Sequence, residues 1–193
     1  MTVLTLAVAQ VIHPRLIVLG YSEASMLLRG EAARDVKAVL AIVGNREFAV
    51  EAPDAIAHRL LLAFDDVSLG DPNDPVLAIQ AVAHRKWNEQ VGRPQAPPTS
   101  EHVRAIVEFA ERVRGIDGAV LCHCMAGVSR STAAGLLCLA AWTGPGNEEY
   151  CVRELMRVRP CAIPHRDLVR FGDELLGRDG RLMRALTSTA SHG

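Results

Sequence analysis

Six residues between two apolar runs carry the chemistry of this chain. In "AVLCHCMAGVSRSTAAGLLCLAAW", residues 119–142, they are His123, Cys124, Gly127, Ser129, Arg130 and Ser131. The first run reads as a strand, the last as a helix starting at about Arg130, and what joins them is a strand-to-helix loop. Gly127 lets the backbone turn sharply and approach a ligand, and the small Ala126 and Ser129 leave room. Free N–H groups at the helix start, with the positive end of the helix dipole, favour an anion, and an oxyanion such as phosphate fits best. A thiol at a helix N-terminus near an arginine has its pKa lowered from about 8.5 towards the range 3.5–7.5. Cys124 is therefore expected to be a thiolate nucleophile and Arg130 a planar fork for two phosphate oxygens. The reaction implied is covalent: attack on phosphorus, a phosphocysteine, then release of phosphate by water. A proton donor for the leaving oxygen is required, and Asp65, Asp66, Asp71 and Asp74 are candidates, the first two best anchored because they directly follow a strand.

The elements that must position these groups can be read from periodicity. Apolar runs at 15–21, 36–44, 58–64 and 119–123 read as strands that end near turn residues. Between the first two, "SEASMLLRGEAAR" reads as a helix capped by Ser22. A turn-rich acidic loop, "DDVSLGDPNDP", follows the third strand, and 75–91 is loosely helical. Thr99 or Ser100 caps a helix in which Val103, Ile106, Val107, Ala110 and Val113 recur at helical spacing, with Gly115 as its stop. Helices are expected at 131–142, 147–158 and 165–176, with a short one at 182–186. Strands alternating with helices imply an α/β fold with a mostly parallel central sheet of four to five strands. Ligands bind such sheets at the carboxyl ends of strands, which is where Cys124 and Asp65–Asp66 fall.

Bulk properties narrow the function further. The chain has 193 residues, 49% of them hydrophobic, and a formal net charge of -1. One domain over 1–193 is expected, with 1–14 an extra strand or leader and 177–193 a C-terminal tail. The charge balance carries no nucleic-acid or membrane footprint. The N-terminus lacks the positive start of a secretory signal, and no apolar run nears the ~20 residues of a membrane span. Five cysteines show neither disulfide nor zinc spacing, which points to a reducing, cytoplasmic setting without a metal. Cys122 and Cys138 read as core residues; His123 reads equally as core or as a support for the Cys124 loop. No G-x-x-x-x-G-K-[ST] motif occurs.

The run "HCMAGVSRS" resembles the signature of the protein tyrosine phosphatase superfamily: His-Cys, five residues, Arg, then Ser or Thr. Its "AG" and "SRS" are similar to the dual-specificity branch, and "LLAFDDV" and "VRPCAIPHRDLV" stand where that branch has its acidic loop and an RP…P segment before its last helices. The resemblance spans roughly 15–176 and implies a dual-specificity phosphatase-like fold. It implies Cys124 as nucleophile, Arg130 as phosphoryl ligand, Ser131 as support for the departing thiolate and Asp66 as acid then base. Main-chain N–H groups of Met125, Ala126, Gly127, Val128, Ser129 and Arg130 would hold the phosphate, with no metal or organic cofactor. The implied partner is a phosphorylated protein or a small phosphomonoester, with phosphoinositide, RNA 5'-phosphate or phospho-ligand binding without turnover as alternatives. A sulfurtransferase of the rhodanese type would not need Cys-x5-Arg-Ser or the acidic loop. His165 stands where relatives often carry Asn, and the loop lacks the lysines of lipid-phosphate relatives. No long phosphotyrosine-recognition loop is evident, so a shallow pocket open to phosphoserine and phosphothreonine is expected.

Overall fold

The computed structural model describes residues 14–44, 49–70 and 74–190. Four strands, β1 (Arg15–Gly20), β2 (Val36–Val43), β3 (His58–Ala63) and β4 (Ala119–Cys124), form one sheet in the order β1-β4-β2-β3, all neighbours parallel. The helices are α1 (Tyr21–Arg29), α2 (Pro75–Gln90), α3 (Ser100–Val113), α4 (Arg130–Thr143), α5 (Glu148–Val158), α6 (Arg166–Leu175) and α7 (Arg181–Ala190). Because every strand runs the same way, the carboxyl ends of β1, β3 and β4 share one edge.

Every residue of β4 is buried. A strand covered on both faces is near-continuously apolar, here with His123 as the exception, and its two faces feed two cores. Val120, Cys122 and Cys124 join Leu16, Val18 and Leu40 in the larger core, with residues of α3 to α7. Leu121 points the other way, into a smaller core with Ala24 and Leu28 of α1. All fourteen residues of α4 are buried, which suits a helix that is apolar all round. Its Gly135 lets it press on β1: a Cβ there would lie 3.0 Å from Val18 Cγ2.

Several boundaries differ from the expectations. Gly20, not Ser22, precedes the first helical residue of α1, and its N–H donates to Glu23 Oε2 at 2.8 Å. The helix expected to run on past Gly30 stops at Arg29, where Gly30 takes an extended conformation, and a 3₁₀ turn (Glu31–Asp35) follows. The α3 helix ends at Val113, two residues before Gly115. The short helix expected at 182–186 runs over Arg181–Ala190 as α7, with Leu182 fully buried and Ala185 nearly so, because α7 completes the larger core. The expected strand or leader at 1–14 lies outside the described residues, apart from Pro14.

Candidate active site

The loop from Met125 to Ser129 is held by its carbonyls. Met125 O accepts from Tyr21 N at 2.9 Å, and Ala126 O and Gly127 O accept from the Arg159 guanidinium at 3.4 and 3.0 Å. Val128 O accepts from Ile163 N at 2.9 Å, and Ser129 O from His165 N at 3.3 Å. In a trans peptide the N–H points opposite to the C=O. Five outward carbonyls therefore turn the N–H groups of Ala126 to Arg130 inward. Gly127 N shows this directly: it donates to Cys124 Sγ at 3.3 Å. Gly127 has φ +70, and a Cβ there would lie 2.3 Å from Gly20 N. Only glycine meets both demands.

Cys124 is buried at the floor of this nest, with Ser131 Oγ hydrogen-bonded to its sulfur at 3.2 Å. No side chain caps the start of α4, because Ser129 Oγ donates instead to Asp66 Oδ1 at 2.7 Å. The Arg130 guanidinium is buried and donates through Nη1 to Phe64 O at 3.0 Å, at the end of β3. Its Nε lies 3.8 Å from Asp66 Oδ2. The half-exposed Asp66 carboxylate thus stands at the rim of the nest, facing Arg130.

The other candidate acids are engaged elsewhere or lie outside the described residues. Asp65 Oδ2 accepts from Ala96 N at 2.8 Å, tying the segment before α3 to the end of β3. Asp74 caps α2 through Val76 N and Leu77 N. Asp71 lies outside the described residues. The loop after Asp66 is pinned by Asp167 of α6, which accepts from Ser68 Oγ at 3.1 Å and Leu69 N at 2.8 Å. His165 is buried between α6 and this loop, its Nε2 3.3 Å from Val67 O and 3.8 Å from Asp66 Oδ1.

Burial keeps Cys122, Cys151 and His123 of the core uncharged at neutral pH. Hydrogen bonding to Cys138, with burial, pushes the Cys122 thiol well above its ordinary pKa, and burial raises Cys151. His123 is buried with no hydrogen-bond partner at either ring nitrogen, and burial lowers its pKa to about 4. It is a neutral core residue and no support for the loop. Among the described residues no cluster of three His, Cys, Asp or Glu side chains could hold a metal, and no helix is long and apolar enough to cross a membrane. Beside Asp66 the surface opens into a cavity of about 620 Å³ bounded by α2, α6 and α7.

Comparison with solved structures identifies the fold. A crystal structure of Tk-PTP in its active form matches 88% of this chain and 95% of its own at 21% identity, with a TM-score of 0.51. PTPMT1 in complex with PI(5)P matches 88% and 97% at 16% identity, TM-score 0.53. The Yvh1 phosphatase domain from Chaetomium thermophilum matches 86% and 93% at 19%, TM-score 0.50. The fold is that of the dual-specificity-like protein tyrosine phosphatases. No family model matches the chain, and no curated protein matches it by sequence.

In this phosphatase-like fold two residues of stretches quoted above, given no role there, support the loop. Arg159 links the loop carbonyls to Glu23, its Nη1 2.8 Å from Glu23 Oε1. That bond holds the Glu23 carboxyl below its usual range and raises the Arg159 guanidinium further. Glu23 in turn holds Gly20 N, the residue level with Cys124 in the β1–β4 register. The signals were an acid three residues after a strand-ending glycine and an arginine before Pro160. Neither has a target until the chain folds.

Proposed function

We propose that the chain is a cysteine-dependent phosphatase that hydrolyses phosphate monoesters through a phosphocysteine. The observation that carries this reading is the set of outward carbonyls around Cys124, which aims consecutive N–H donors at the space above a buried sulfur. Three equatorial phosphoryl oxygens accept from those N–H groups and from the Arg130 fork. The Cys124 thiolate attacks phosphorus opposite the ester oxygen, and the S–P bond forms as the P–O bond breaks. Asp66 gives its proton to the departing oxygen. The same carboxylate then takes a proton from water as the water oxygen attacks phosphorus. The S–P bond breaks, inorganic phosphate forms, and Ser131 Oγ stabilises the returning thiolate by its hydrogen bond.

Phosphotyrosine, phosphoserine and phosphothreonine side chains all present such a monoester, and proteins carrying them are substrates this reading admits. The cavity beside Asp66 adds room for a leaving group larger than any of these. The test is hydrolysis of p-nitrophenyl phosphate, with EDTA and reductant present, by wild type and by Cys124→Ser. Turnover in the wild type and none in the variant is expected. No turnover by fresh reduced wild type would leave the nest as a phospho-ligand binding site only.

A further inference from the structure

The turn that carries Asp66 is held from both ends. Val67 N donates to Asp65 O at 3.0 Å, which closes a three-residue turn with Asp66 at its apex. Before the apex, Asp65 exchanges two bonds with Ala96: its N donates to Ala96 O at 2.7 Å, and its Oδ2 accepts from Ala96 N at 2.8 Å. After the apex, three consecutive residues meet the start of α6. Val67 O lies 3.3 Å from His165 Nε2, Ser68 Oγ donates to Asp167 Oδ2 at 3.1 Å, and Leu69 N donates to the same oxygen at 2.8 Å. The start of α6 also touches the nest, since His165 N donates to Ser129 O at 3.3 Å. One helix start therefore spaces the acid loop from the phosphate loop.

Asp167 is 3% exposed, and a carboxylate this buried is destabilising unless its oxygens are bonded. Arg170 Nη2 donates to Oδ1 at 2.9 Å from one turn along the same helix. The first turn of α6 also favours a negative charge there. With the charge satisfied in this way, Oδ2 is left for the acid loop. Arg85 of α2 holds the Ser68 carbonyl from another side, its Nη1 donating at 2.8 Å. Ser68 thus sits between two helices, and the loop cannot leave α6 without breaking its bonds to Asp167. Asp66 itself is half-exposed, and Ser129 Oγ donates to its Oδ1 at 2.7 Å. A general acid must come within hydrogen-bond reach of the departing oxygen, and a shift of about 1 Å can cost about a hundredfold. Such a shift of the turn would leave Cys124, Arg130 and the nest where they are.

We propose that Asp167 is a positioning residue for the acid: through Ser68 and Leu69 it fixes the Asp66 carboxyl at the distance from the nest at which it protonates the leaving oxygen. This rests on the phosphatase reading for its chemistry. Attack by Cys124 and protonation by Asp66 are served by different loops, and Asp167 bonds only the second of them. Its removal therefore penalises a substrate in proportion to how much its leaving oxygen needs a proton. A role in stability alone makes a different demand. Asp167 would then merely join α6 to the loop, and its removal would lower Tm and slow every substrate alike.

The probes are phenyl phosphate, whose leaving group needs protonation, and p-nitrophenyl phosphate, whose leaving group needs little. Asp167→Ala is expected to lower kcat/KM on phenyl phosphate by about tenfold to a hundredfold, and on p-nitrophenyl phosphate by less than about threefold. On an Asp66→Asn background the same substitution should leave the ratio of the two rates unchanged, because the acid it positions is gone. Asp167→Asn keeps one oxygen for Leu69 N, and its ratio should fall between those of wild type and Asp167→Ala. Equal losses on the two substrates, no loss on either, or a ratio still lowered on the Asp66→Asn background would overturn the proposal. Ser68→Ala covers the case in which Asp167→Ala does not fold. Ser68 is exposed and supplies one of the two bonds to Oδ2, so its loss should slow phenyl phosphate selectively, by about threefold to tenfold. A folded Ser68→Ala protein with the wild-type ratio would also overturn the proposal. No turnover of p-nitrophenyl phosphate by fresh reduced wild type would instead strike the phosphatase reading. Amide exchange at Leu69 then decides the tether: exchange faster by about tenfold in Asp167→Ala is expected, and an unchanged rate would overturn it.

Discussion

Arg159→Leu asks whether the carbonyl tethers make the nest. Arg159 donates through Nε to Gly127 O at 3.0 Å and through Nη2 to Ala126 O at 3.4 Å, and pairs with Glu23 at 2.8 Å. The Gly127 bond is the stronger carbonyl contact, and a hydrogen bond to a charged group contributes about 1.5–3 kcal/mol. Losing about 2 kcal/mol shifts the balance between outward and flipped peptide by about thirtyfold. A flip of the Gly127–Val128 peptide turns one N–H out of the nest, and one such donor is worth about 10²–10³ in kcat. The expected result is a kcat on p-nitrophenyl phosphate lower by about tenfold to a hundredfold, with the fold retained. Arg159→Lys keeps the charge opposite Glu23 but loses the fork, so its kcat should fall between the two. Steady-state kinetics beside a thermal melt provide the assay. A folded Arg159→Leu protein with kcat within about twofold of wild type would refute the reasoning, because the donors would then be oriented without the tether.

Asp66→Asn should cut turnover of an alkyl phosphate by about 10²–10⁴ and affect p-nitrophenyl phosphate much less, because a good leaving group needs little protonation. Equal losses on both substrates would remove Asp66 from the role of acid. His123 has a folded pKa of about 4 against about 6.5 unfolded, so folding favours its neutral form. Its stabilising contribution is full above pH 6.5 and falls as the pH drops towards 4, by about 3 kcal/mol in all. Urea unfolding of wild type and His123→Gln across that window measures it, and identical pH slopes in the two proteins would show that His123 burial is not the source.

The core of the site was legible because its parts are local. Cys124, Gly127, Arg130 and Ser131 lie within eight residues, and the roles proposed for them follow from a strand, a turn and a helix start in immediate succession. The four strands, all covered on at least one face, were legible as apolar runs for the same reason. Among the acids, a directly preceding strand favoured Asp65 and Asp66 alike, and only the family resemblance picked Asp66: adjacent residues project differently, and which one meets Arg130 depends on how β3 lies in the sheet relative to β4. In the fold Asp65 is bound to Ala96, whereas Asp66 is bound to Ser129 beside Arg130.

What the sequence carried by itself was the parallel α/β frame and the cysteine loop on which the proposed nucleophile and anion nest rest, since these depend on short-range backbone geometry and apolar periodicity. The tertiary structure alone decided which groups hold that nest open and what lies beside it. Arg159 and Glu23 are 136 residues apart, and Asp167 reaches Ser68 across 99. Such partners meet only once the loop after β3 lies against the start of α6 and the start of α1 lies beside the nest, which no local pattern in the chain encodes.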